Sequence, residues 1–205
     1  MNRTDAELVL AYVKRGDHRA FGLLVERHKE RIFGYLLGMV RDRSLADDLF
    51  QETFIRAIRA MTNERGTYDP QGKWLQWVMR IARNAALDHI RSQKRRKTIS
   101  VGTGDDADDL DMSQLAVDVD PIADMSIVTT ERRDFLYACI DQLPPEQREV
   151  LLMRHESELT FREISELTDC SINTALGRMR YALLNLRRMM VETDVKERER
   201  IELAS

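Results

Sequence analysis

Apolar residues recur at three- and four-residue intervals along most of the chain, and no stretch alternates long enough to read as a sheet strand. The periodicity therefore predicts an all-α protein. Helices are expected at roughly 5 to 14, 18 to 40, 45 to 61 and 73 to 94, with a glycine-containing loop, NERGTYDPQGK, before the last of these. A second group is expected near 129 to 141, 145 to 155, 161 to 168 and 172 to 190. Local start signals support the assignment. Thr4 with Glu7, Ser44 with Asp47, and Thr160 with Glu163 each pair a side-chain oxygen that can accept from free helix amides with an acid three positions on. Pro145, after Pro144, suits a first helical turn, where its missing amide is no loss.

Between the two groups lies TISVGTGDDADDLDMSQLAVDVDPIADM, rich in Gly, Ser and Asp and poor in periodic apolar positions. It offers too little burial to offset the entropy of ordering it, and reads as a linker. The expected architecture is two small helical domains, an N-terminal helical bundle over 1–97 and a C-terminal helix-turn-helix domain over 129–192. An acidic flexible linker over 98–128 joins them, and 193–205 forms a solvated or frayed tail.

Charge changes this picture by dividing it. The 32 basic and 35 acidic residues nearly balance overall, yet residues 1–97 carry 20 Lys/Arg against 12 Asp/Glu, and residues 98–130 carry eight aspartates and no basic residue. A basic half tied to an acidic strip fits a polyanion binder with a self-repelling, extended tether. The opening MNRTDAELVL has no long apolar run and no segment approaches membrane-spanning length, so the expectation is a cytoplasmic protein without membrane insertion. Cys139 and Cys170 sit in helical patterns with no CxxC or Cys/His cluster near them, and both read as reduced core residues.

Three constellations carry candidate chemistry. In the helix from Leu45 to Met61, the residues Ala46, Phe50, Phe54, Ala57 and Met61 make the core stripe. Leu49 and Ile55 then project away from it among Asp48, Glu52 and Arg59, which reads either as a partner surface or as ordinary scattered exposure. In the next helix Trp74, Trp77, Val78, Ile81, Ala85 and Ile90 face inward, while Arg80, Arg83, Asn84, Arg91, Lys94, Arg95 and Lys97 form a cationic ridge suited to phosphates. Trp74 and Tyr68 border the glycine loop, where an unstacked base could lie on an aromatic ring; for Trp74 a core position is the competing reading.

The third is LTFREISELTDCSINTALGRMRYALLNLR, a short capped helix, a tight turn and a longer helix, which is the pattern of a helix-turn-helix. Its core stripe is read as Phe161, Ile164, Leu167, Ile172, Ala175, Met179, Leu183 and Leu186. The other face of the second helix shows Asn173, Thr174, Gly177, Arg178 and Tyr181, groups able to read base edges or grip phosphates.

Taken in order, SLADDLFQETFIRAIRA, WVMRIARNAALDHIRSQKRR and LPPEQREVLLMRHESELTFREISELTDCSINTALGRMRYALLNLR closely resemble the extracytoplasmic-function (ECF) sigma factors of RNA polymerase. The resemblance implies a factor that binds core RNA polymerase and directs promoter-specific transcription initiation. It implies that the helix bearing Asp47, Asp48, Leu49, Gln51, Glu52 and Ile55 docks on the polymerase. It implies that the loop before Trp74, with Asn84 and the basic ridge, melts the start-proximal promoter element. It further implies that the segment from Ser171 and Ile172 onward enters the major groove of the upstream element, and that an anti-sigma protein is a partner. This chain departs from the family pattern at Leu176 and Gly177, where a basic residue and a serine are common. Leu176 either packs inward or touches a thymine methyl.

Two other classes compete with this reading. A four-helix carboxylate metal enzyme would need Glu-x-x-His pairs, but none occurs, His18, His28, His89 and His155 are scattered, and no phosphate loop or HExxH is present. No metal, cofactor or catalysis is therefore expected. A helix-turn-helix regulator acting without the polymerase is the alternative, distinguished by whether promoter binding requires the core enzyme.

Overall fold

A computed structural model describes residues 3–62, 72–100 and 130–202, except the side chains of Lys94 and of 96–100, 130–134 and 192–202. Among the described residues there are eight helices and no strand. They are α1 (Asp5–Arg15), α2 (His18–Val40), α3 (Arg43–Thr62), α4 (Trp74–Ser100), α5 (Thr130–Asp141), α6 (Pro145–His155), α7 (Phe161–Thr168) and α8 (Ile172–Glu202). The all-α expectation holds, and most predicted bounds fall within two residues. Helices α4 and α8 run further than periodicity suggested, because runs of mostly polar residues continue a helix without leaving an apolar signal. The expected linker, residues 98–128, lies almost wholly outside the described residues.

The described residues gather into two compact units, one drawn from Met1–Asp106 with Leu152–Glu163, the other from Ala107–Leu151 with Ile164–Ser205. In the first, α1 lies on α2, and α2, α3 and α4 pack mutually. Capping sets the starts. Thr4 and Glu7 form the reciprocal box: Glu7 N–H donates to Thr4 Oγ1 at 3.3 Å, and Thr4 N–H to Glu7 Oε2 at 2.7 Å. Gly16 ends α1 at φ 64°, a left-handed conformation that costs glycine nothing. The carboxylate of Asp17 then accepts the Arg19 and Ala20 amides, both at 3.1 Å, and these bonds hold its pKa below the usual carboxylate value. At α3 the predicted cap is corrected: Asp42, not Ser44, receives the free amide, from Leu45 at 3.0 Å, so the helix begins two residues earlier.

The core of this unit is aliphatic around an aromatic run. Tyr12 contacts Phe21, Phe21 contacts Phe54, and Phe54 lies between Phe50 and Trp74 at centroid distances of 4.8 and 6.3 Å. Aromatic pairs at this spacing gain beyond their area burial. The segment Leu152–Glu163, read from sequence as part of the C-terminal domain, belongs to this unit. Ser157 there is buried and donates to the Arg31 carbonyl at 3.2 Å, and Glu158 pairs with Arg31.

The second unit packs α5 along α8. Its core holds Cys139, Ile140, Leu143, Leu151, Ala182 and Leu186, flanked by Phe135, Leu136, Met179 and Leu183. Both cysteines are free, but only Cys139 is a core residue; Cys170 sits half-buried at a turn, where its sulfur lies 3.2 Å from Thr168 Oγ1. Pro145 opens α6 as predicted, with the Pro144 carbonyl accepting from Gln147 and Arg148, both at 3.0 Å.

Candidate docking face and nucleic-acid interface

Helix α3 shows why one helix serves both core and surface. Buried Ala46, Leu49, Thr53, Phe54, Ala57 and Met61 face the bundle. Leu49 is thus a correction: it is 5% exposed, not outward. Packed against both α2 and α4, α3 buries a wider arc than the narrow stripe drawn from sequence, and that arc takes in Leu49 and Thr53. Thr53 tolerates burial because its hydroxyl donates to the Leu49 carbonyl at 2.7 Å.

What remains outward is coherent. Asp47, Asp48 and Gln51 are exposed, and Ile55 is 48% exposed among them. Glu52 is half-buried and accepts from Arg56 at 2.6 Å across one helical turn. The face therefore offers three acids, one of them paired with Arg56, together with an amide and one large aliphatic group.

On α4, the buried set is Trp74, Gln76, Val78, Met79, Ala82, Ala85 and Ala86. Trp77, Ile81 and Ile90 are only half-buried. Trp74 is 0% exposed, stacked near His28 at 5.3 Å and Phe54 at 6.3 Å, so its candidacy as a base platform is corrected to a packing role. Its place at the first helical position, on the 74, 78, 82 and 85 stripe, sends the indole into the bundle. Tyr68 lies outside the described residues. Arg80, Asn84, Arg91 and Arg95 are exposed along α4 and Arg83 is half-buried, which leaves the cationic ridge on the solvent side. Arg91 and Asp88 stand 3.9 Å apart, both largely exposed, a pairing of little energetic weight. Of Lys94, only its place in α4 is described.

The helix-turn-helix is formed by α7, the turn 169–171 and α8. Thr160 and Glu163 cap α7 reciprocally, at 2.8 and 3.3 Å. Asp169 at φ 51° reverses the chain, and the Cys170 amide donates to the Ser165 carbonyl at 3.2 Å. Ser171 then caps α8: its Oγ accepts the Thr174 amide at 3.0 Å and lies 2.8 Å from Thr174 Oγ1. Ile164, Leu167, Ala175 and Leu186 are buried as predicted, with Phe161, Met179 and Leu183 partly so.

Ile172 is a correction, standing 45% exposed instead of in the core stripe. The buried arc of the helix runs through Ala175, Ala182 and Leu186 and leaves Ile172 on its flank. Leu176 resolves outward at 44% exposed. Ser171, Asn173 and Thr174 are exposed beside them, while Gly177, Arg178 and Tyr181 are half-buried along the same helix. Sequence reasoning missed Ile172 as a surface residue; its position directly after a capping serine was the available signal.

Comparison with known proteins matches two separate stretches of the chain. The family model described as sigma-70 region 2 matches residues 24–96, and that described as sigma-70, region 4 matches residues 134–186. The RNA polymerase sigma-H factor of Pseudomonas aeruginosa is 32% identical over 167 residues, 82% of this chain and 84% of that protein. The ECF RNA polymerase sigma-E factor of Haemophilus influenzae is 30% identical, covering 86% and 89%. The RNA polymerase sigma factor CarQ of Myxococcus xanthus is 32% identical, covering 88% and 95%. Among solved structures, CnrH in complex with the cytosolic domain of CnrY superimposes with a TM-score of 0.64 at 20% identity, over 93% of this chain and 99% of that one. The sigma factor RpoE from Bartonella quintana, in complex with the anti-sigma factor NepR, gives 0.58 at 17% identity, over 83% and 96%.

Proposed function

Because the chain belongs to the extracytoplasmic-function sigma factors, which direct RNA polymerase to promoters, we propose a division of labour among three of its helices. The outward face of α3, with Asp47, Asp48, Gln51, Glu52 and Ile55, docks on core polymerase. The ridge of α4, with Arg80, Arg83, Asn84, Arg91, Lys94 and Arg95 and with Tyr68 in the preceding loop, holds and opens the start-proximal element. Helix α8, from its Ser171 cap through Asn173, Thr174, Gly177, Arg178 and Tyr181, reads the upstream element. The observation that carries the reading is the grouping of outward chemistry: Asp47 and Asp48 stand exposed together in the first half of α3, whose second half exposes Arg56 and Arg59, while Arg80, Arg91 and Arg95 stand exposed along α4.

The boundaries 1–97 and 129–192, with an acidic connection between, serve this division by assigning the two promoter elements to separate helical regions. A cytoplasmic site of action fits, and among the described residues no helix is long and apolar enough to cross a membrane. An anti-sigma protein is a fitting further partner, since two similar structures are complexes, one with an anti-sigma factor by name. We assign the chain no catalysis of its own, the polymerase supplying the chemistry.

The division is tested with holoenzyme on a promoter found by run-off transcription. Arg80→Ala with Asn84→Ala should reduce permanganate reactivity of start-proximal thymines while upstream protection persists. Asn173→Ala with Arg178→Ala should do the reverse. Equal loss of both signals in both variants would overturn it.

A further inference from the structure

The leading end of α8 carries two large aliphatic side chains in solvent, Ile172 and Leu176, one helical turn apart. Single exposed leucines are ordinary, but a pair at this place is not neutral ground. The N-terminal residues of the second helix of a helix-turn-helix are those that meet base edges. The chemistry around the pair is already suited to DNA: Asn173 and Thr174 stand exposed beside it, Arg178 and Arg180 follow, and the first turn holds no acid. The nearest exposed acid is Asp169, two residues before the Ser171 cap, so the first turn itself sets no carboxylate against phosphate. Gly177 adds room, since a Cβ at that position would meet nothing within 4 Å. Bare backbone next to Leu176 lets a groove wall come close.

Among the groups displayed in the major groove, the thymine 5-methyl is the one an aliphatic side chain recognises. We propose that Ile172 and Leu176 are specificity residues that read thymine methyls in the upstream promoter element. The inference rests on the reading that α8 enters the major groove, and adds which base its apolar edge selects. Four residues of helix rise about 6 Å, against about 3.4 Å per base step, so the two methyls lie within roughly two base pairs of each other.

Deoxyuridine tests this directly, because it pairs as thymine does and lacks only the methyl. Holoenzyme binding is measured on promoter duplexes in which each upstream thymine is replaced singly by deoxyuridine. One or two neighbouring positions should lose about fourfold in affinity, the worth of one buried methyl. Leu176→Ala should weaken binding to the unmodified promoter and abolish the deoxyuridine effect at one of those positions, leaving the other. Sequence-specific upstream binding with no deoxyuridine effect anywhere would overturn the proposal and leave the reading of α8 intact. An unchanged deoxyuridine profile in both Leu176→Ala and Ile172→Ala would also overturn it. If upstream sequence were not read at all, the failure would lie with α8 as a reader. Both side chains are exposed, so thermal melting of the variants should match the parent.

Discussion

Helices α3 and α8 each carry a leucine beside polar residues, and the structure sends the two in opposite directions: Leu49 into the bundle, Leu176 into solvent. The difference is one of neighbours. Helix α3 packs on both α2 and α4, so its buried arc is wide enough to include a residue off the main stripe. Helix α8 packs along α5, and its buried arc, through Ala175, Ala182 and Leu186, leaves Ile172 and Leu176 on the uncovered flank. Periodicity gives the direction of the apolar face; the number of packed neighbours sets its width.

The sharpest way to break this contrast is to truncate both leucines. Leu49→Ala should cost about 2–5 kcal/mol, the range for emptying a packed core site, read by denaturant unfolding. Leu176→Ala should stay within about 0.5 kcal/mol, as surface changes do. Comparable losses at the two positions would dissolve the distinction.

The outward remainder of α3 comes next in size. Asp48→Lys with Ile55→Ala reverses a charge and removes the one large aliphatic group on the docking face. It should weaken core polymerase binding by at least about tenfold, equivalent to about 1.4 kcal/mol, with the helical signal and melting near the parent's. Both residues being exposed, an equal fall in stability would mean that this face is structural. The end of α8 supplies a smaller effect of the other kind. Ser171→Ala removes the acceptor for the Thr174 amide and should cost about 1 kcal/mol, whereas Ser44→Ala, at the start predicted but not used, should cost close to nothing.

These cases show which features are legible in sequence alone. Two of three predicted caps are present, because a capping box is written within four residues, as at Thr4–Glu7 and Thr160–Glu163. The third moved from Ser44 to Asp42 because two polar residues stood at the same helix start. The basic ridge of α4 and the polar edge of α8 were readable, since charged side chains seldom turn inward. Trp74, Leu49 and Ile172 were not, for each depends on how far a neighbouring helix extends over a helix end or flank. The reach of Leu152–Glu163 into the first unit was equally invisible, since Ser157 and Glu158 meet Arg31 across more than a hundred residues of chain.

His28 is the mirror image of Leu176, a polar group on a buried stripe, and it yields the smallest effect. It follows Ala20 and Leu24 and precedes Ile32 on the inner face of α2, against the Trp74 ring. Burial pushes its pKa below the ordinary 6.5, although Asp5 Oδ2, 2.8 Å from Nε2, pulls the other way, and Arg31 and Arg27 add to the lowering. The folded state thus holds the imidazole neutral at a pH where the unfolded chain protonates it. Stability from this group is complete above pH 6.5 and declines as pH falls through 6.5 toward the folded-state pKa. His155 has the opposite sign, its pKa raised by Glu156, so its contribution is complete below 6.5 and fades as pH rises through the folded-state value. Asp17 and Glu7, both lowered, act only in the carboxylate range. Denaturant unfolding between pH 5.5 and 6.5, where the His155 contribution is complete, should therefore show stability rising with pH in the parent, and His28→Phe should flatten that slope, with the Asp5 attraction keeping the change modest. A slope of unchanged size in the variant would place the titration elsewhere, and a flat profile below pH 6.5 in the parent would mean that Asp5 offsets burial.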